Sequence, residues 1–161
     1  MTPPQPGFEL AKAHRWFAVE CNNVAWDLLE KPNFTPDDRE RMLHAAHAAC
    51  FHWAHAGNEV NRQRALCLLA EVHAELGHAP LALQHARLAH ELSGRLTDQL
   101  TDFDRTFVEI CLARALAANG HADEARRAKQ TARDLAAALT DADDRRVCEE
   151  TLRARSWHGV E

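Results

Sequence analysis

A pattern written twice constrains this chain more than any other feature. Leu69-Ala70, Gly77-His78-Ala79, Ala82, Ala89 and Leu92 recur as Leu112-Ala113, Gly120-His121-Ala122, Ala125, Ala132 and Leu135, each about 43 residues later. A fixed period of this size is the mark of a supersecondary unit repeated in tandem. The residue types say which unit. Alanines at helical spacing let two helices approach closely, and the glycine between them permits the turn that reverses the chain. Helical hairpins are therefore expected at 59–93 and 101–139.

The rest of the chain reads in the same way. Tyrosine is absent, and valine and isoleucine are few, so strands have little material. Seven helices are predicted, at about 8–30, 36–56, 59–76, 79–93, 101–120, 121–139 and 141–155. In the first, Leu10, His14, Phe17, Cys21, Val24 and Leu28 recur at three- and four-residue steps. Thr35 can cap the second, with Pro36 in its first position and Asp37 and Asp38 at its positive end. Thr101 or Asp102 opens the fifth, and Thr140 or Asp141 precedes the seventh. Gly57, Gly77, Gly94 and Gly120 are the expected stops. Shifting the repeat back by one period makes 8–56 a degenerate first hairpin. Residues 141–155 would then cap the open end, as terminal repeats must. A chain of 161 residues is enough for one such domain, spanning 1–161.

LLAEVHAELGHAPLALQHARLA (68–89) and CLARALAANGHADEARRAKQTA (111–132) resemble the tetratricopeptide repeat. Each carries that family's Leu-Ala, then Gly, then two Ala at the usual spacings. The period is longer than usual, His73 and Leu116 stand where an aromatic is common, and the closing proline is missing. The resemblance covers about 60–139. FHWAHAGNEVNRQRA (51–65), DFDRTFVEICLARALAANG (102–120) and SWHGV (156–160) also look like a group of uncharacterised bacterial proteins of this type. The resemblance implies an all-α, right-handed solenoid of about three hairpins plus a C-terminal capping helix. It further implies that the first helix of each pair lines a concave ligand-binding face. That puts Arg64, Cys67, Leu68, Glu71 and Glu75 on the face from one repeat, and Phe107, Ile110, Arg114 and Ala117 from the next.

Arg114 draws attention independently, because it interrupts the apolar stripe Phe103, Phe107, Ile110. An arginine there must reach water or a carboxylate, since an unpaired buried charge is costly. Two readings stay open: an internal ion pair, with Glu71 as the candidate partner, or a groove position that clamps a peptide carboxylate.

Several function classes are disfavoured. A net charge of -5, with lysine and arginine scattered, argues against nucleic-acid binding. No apolar run approaches the roughly 20 residues of a membrane span. MTPPQPGFEL lacks the basic and apolar regions of a signal peptide. Five cysteines, an odd number with no CxxC pair, point to a reducing cytoplasm. There is no GxSxG, P-loop or GxGxxG, so no enzymatic activity and no cofactor is expected.

The stretch HAAHAACFHWAHAG (44–57) needs its own account. On a helix His44, His47, His52 and His55 span about 140°, opposite Met42, Ala46, Ala49, Cys50 and Trp53. The simplest reading is a core face bearing Trp53 and a solvated, histidine-bearing back. A metal site and a pH-responsive surface are the alternatives, although for the metal HExxH spacing is absent and the rings diverge. His14 and His73 fall on apolar stripes and are expected to be hydrogen-bonded core residues. The leading expectation is a non-enzymatic module that binds a protein, a peptide or a second copy of itself through the groove residues Arg64, Glu71, Glu75, Phe107, Ile110 and Arg114. A metal-binding protein and a small-molecule sensor are the alternatives.

Overall fold

The structure is a computed structural model that describes residues 7–160. Among them it is all-helical: α1 (Leu10–Leu29), α2 (Pro36–Ala56), α3 (Glu59–Glu75), α4 (Ala79–Arg95), α5 (Asp102–Ala118), α6 (Ala122–Ala138) and α7 (Ala142–Ala154). Side chains set where the helices begin. Thr35 with Asp38, Asn58 with Asn61, and Thr101 with Asp104 form reciprocal capping boxes. Asp141 caps α7 by accepting from the Asp143 and Asp144 amides.

The period seen in the sequence is present in the backbone. Helices α3 and α5 have 17 residues each, as do α4 and α6. The turns between them are alike in detail. Gly77 (φ 79°) and Gly120 (φ 76°) both occupy the left-handed region. The Gly77 amide donates to Ala74 O and the His78 amide to His73 O; the Gly120 and His121 amides donate to Ala117 O and Leu116 O. Both are Schellman caps, which satisfy carbonyls that the helix end would otherwise leave bare. Gly77→Ala or Gly120→Ala should each cost about 1 kcal/mol, because an L side chain is strained at this φ although the space is open. Gly94 serves as the control: it lies inside the last turn of α4 with nothing within 4 Å, so Gly94→Ala should stabilise slightly. Urea unfolding midpoints give the sign of each change; equal effects at all three glycines would remove the distinction.

Gly94 does not stop α4, contrary to expectation. Glycine permits a turn without imposing one, and the helix continues to Arg95. The chain leaves it only where Leu96 and Leu100 turn into the core.

Helices pair as three antiparallel hairpins, α1–α2, α3–α4 and α5–α6. Between hairpins, α3 packs on α1 and α5, and α5 also packs on α7. The even helices pack on their own partner and on the next odd helix; between α2 and α4 only the His47 and His85 side chains are seen to meet. The odd helices therefore stand side by side as an inner row. Helix α3 is buried on two sides: Leu68, Leu69, Val72 and Leu76 join the core with α1 and α2, while Cys67, Ala70 and Ala74 join the core with α4 and α5. Alanines at 0% exposure, Ala82, Ala86 and Ala89 in α4 and Ala125 and Ala132 in α6, allow the close approach.

Trp53 departs from its expected core position. It lies in the last turn of α2, half-buried, packed on the Gly57 backbone with the Arg15 guanidinium 6.0 Å from its ring. The buried face of α2 is made by Met42, Ala45, Ala46 and Ala49, one to three turns earlier.

Candidate functional site

The inner row encloses a pocket of about 270 Å³. Each odd helix contributes residues at one-turn spacing: Asn22, Trp26 and Glu30 from α1, Gln63, Arg64 and Cys67 from α3, Phe103, Asp104 and Phe107 from α5, and Val147, Thr151 and Arg155 from α7. One side is aromatic. Phe107 stacks on Phe103 at 5.5 Å and meets Trp26 edge-on at 5.5 Å, so α1 and α5 touch across the row through their rings. The other side is charged but compensated. Arg64 grips Asp104 with two bonds, Nε–Oδ1 at 2.7 Å and Nη2–Oδ2 at 2.9 Å. Burial works against the Asp104 charge, but the bonds from Arg64 and Thr101 outweigh it and hold the carboxyl below its ordinary range. Arg155 donates to the Leu29 carbonyl at the end of α1, which ties α7 to α1 on that side.

A second, larger cleft of about 720 Å³ borders the pocket and shares Glu30, Val147, Thr151 and Arg155 with it. Lys31, Glu75, Arg146 and Glu150 give this cleft both signs of charge. Together the two make one groove lined from α1, α3, α5 and α7.

The residues expected on the groove fall into two groups. Arg64 and Phe107 line the pocket, and Glu75 lines the cleft. Glu71, Ile110 and Arg114 do not face it: all three have 0% exposure. Of the two readings left open for Arg114, the structure has the internal one. Its Nη1 bonds Glu71 Oε2, and its Nη2 lies 3.3 Å from Glu75 Oε2. Glu71 and Arg114 occupy the same position in successive repeats, so the pair joins α3 to α5. Cys67 touches the pocket, while Leu68 and Ala117 are buried. The lining from α1 and α7 goes beyond the expected set. Trp26, off the main apolar stripe of its helix, was the available sign for α1; for α7, Val147, Thr151 and Arg155 form a mixed stripe that gave no such sign.

The histidines of α2 are not a uniformly solvated back. His47 meets His73 of α3 at 5.4 Å and His85 of α4 at 6.5 Å, between ring centres. His73 stacks on His85 and shares a 3.1 Å Nδ1–Nδ1 hydrogen bond with His78, one ring donating and the other accepting. Burial, reinforced by His85, His47 and His78, pushes the His73 imidazole down to about 4. At the other end of α2, His52 and His55 pack on His14, with a 2.8 Å bond between His14 and His52. Burial and these two neighbours lower His52 as well. Among the described residues no group of three or more His, Cys, Asp or Glu side chains is arranged to hold a metal ion. No helix there is long and apolar enough to cross a membrane. All five cysteines are free thiols, and burial pushes Cys148 up to about 12.

Compared with known proteins, the chain matches no family model, no curated protein and no solved structure.

Proposed function

We propose that this chain is a non-enzymatic peptide-binding module built as a short tetratricopeptide-like, right-handed solenoid, with α7 as its cap and the odd helices as its concave face. The observation that carries the reading is the aromatic pocket continuous with an open, mixed-charge cleft. Pockets for complete small ligands run to about 300–1,000 Å³. At about 270 Å³ this one has room for a single large apolar side chain. The adjoining cleft then takes the neighbouring residues of an extended segment, and its mixed charge sets their order. The repeat pattern and the twin Schellman turns support the tetratricopeptide-like reading.

The test starts with short random peptides displayed on phage and selected on the intact chain. Selected sequences should share one large apolar residue. Val147 is 37% exposed at the pocket mouth, so Val147→Trp should fold normally and plug the entrance. Affinity should fall at least about tenfold, the worth of one buried apolar side chain. Selected peptides that bind Val147→Trp and Phe103→Ala as tightly as the native chain would sink the proposal.

A further inference from the structure

The first hairpin carries most of the exposed apolar surface. Of the ten large hydrophobic side chains exposed among the described residues, Phe8, Leu10, Trp16, Phe17, Val19 and Phe51 lie on α1, α2 or just before them. Four form one patch. Trp16 meets Phe17 edge-on at 5.0 Å, Phe17 stacks on His52 at 5.4 Å, and His52 meets Phe51 at 5.4 Å. Leu10 lies two turns before Phe17 on the same face of α1.

From this surface we infer that two copies of the chain associate through their α1–α2 hairpins, about a two-fold axis near Trp16. The first argument is area. Leu10, Trp16, Phe17 and Phe51 are 56%, 60%, 44% and 58% exposed. With about 150–250 Å² for each aromatic side chain, they present roughly 350–500 Å² of apolar surface. A standard interface takes about 800 Å² from each partner, of which about 56–65% is apolar, so the patch supplies most of the apolar share of one half. The second argument is charge. Lys12 lies one turn before Trp16 and Glu20 one turn after it, both exposed. Two α1 helices crossing antiparallel at Trp16 set each Lys12 against the partner copy's Glu20. Such self-complementarity is what a two-fold contact requires. The exposed pairs add little energy, but their signs select the antiparallel register. This inference does not depend on the peptide groove, which lies on the inner row.

Sedimentation equilibrium of the intact chain should give a dimer with a dissociation constant of micromolar order or tighter. Trp16→Glu should weaken it at least about a hundredfold, because two-fold symmetry counts each substitution twice. Lys12→Glu should weaken it more modestly, and adding Glu20→Lys should restore it. Circular dichroism melts confirm that these surface variants fold. The inference is overturned if the native chain stays monomeric up to about 200 µM, well above micromolar affinity. It is equally overturned if a dimer forms that is indifferent to Trp16→Glu, or if the charge swap fails to restore what Lys12→Glu removes.

Discussion

Replacing Arg114 with alanine should lower the unfolding free energy by about 3–5 kcal/mol, the cost of leaving a buried charge without its partner. Glu71 is 0% exposed and has no other ion pair among the described residues, so the change strands a carboxylate between α3 and α5. The pair itself adds far less than this loss suggests. Arg114 Nε and Glu71 Oε1 are buried without hydrogen-bond partners, so both ions are incompletely compensated for the water they gave up. Arg114→Met combined with Glu71→Leu should therefore recover most of the loss, although Glu75 then loses its own contact with Arg114. Urea unfolding of the two single variants and the double variant measures the cycle. A cost below about 1 kcal/mol for Arg114→Ala, or a double variant worse than either single one, would contradict this account.

Acid should weaken the protein in a window set by one imidazole. His73 is 2% exposed and lies among His47, His78 and His85. Its protonation is held down to about 4, against an ordinary value of 6.5. Between those values the unfolded chain binds a proton that the folded chain refuses. Stability therefore falls as pH drops through the window, by up to about 1.4 kcal/mol per pH unit and about 2–3 kcal/mol in all. His52 and His85, also lowered, act with the same sign. His90, raised by its bond to Glu109, acts with the opposite sign and loses its contribution as pH rises. Asp38 is held at about 2 by its bonds to Lys31 and Thr35, so its contribution fades only below about pH 4 and the two effects separate. Chemical denaturation at half-unit pH steps from 7 to 4 should show the slope, and His73→Met should flatten most of it. An unchanged slope in that variant would assign the acid sensitivity elsewhere.

What could be read from the sequence follows from how local each feature is. Gly77 and Gly120 are legible because a Schellman turn is made by consecutive residues, and two copies reinforce each other. Helix starts are legible for the same reason: a capping box needs only residues three apart, as in Thr101 and Asp104. The Arg114–Glu71 pair was half legible. Its members share a repeat position, but whether that position faces solvent or a neighbouring helix depends on the angle between repeats. The histidines were misjudged on the same ground. Wheel geometry places His47 on the back of α2, yet α4 comes near enough for His85 to meet it. The contribution of α7 to the pocket was hidden because Val147, Thr151 and Arg155 are a mixed stripe that hydrophobic periodicity does not detect. Trp53 was assigned to the core by size and angle, and both ignore where along a helix the neighbour ends.

The bond from Arg155 to the Leu29 carbonyl joins residues 126 apart in sequence, in a fold whose packing mostly links neighbouring hairpins. Closing so long a loop is the entropically slow step of assembly, so the hairpins form and stack first and this contact is made last. Helix α7 is also lightly held, with Cys148 as its only buried residue. The wall made last in folding is then the wall released first in native fluctuations. Amides of α7 should accordingly exchange with solvent faster than those of α3 and α5. The pocket would admit a ligand by undocking one helix, without disturbing the rest of the stack.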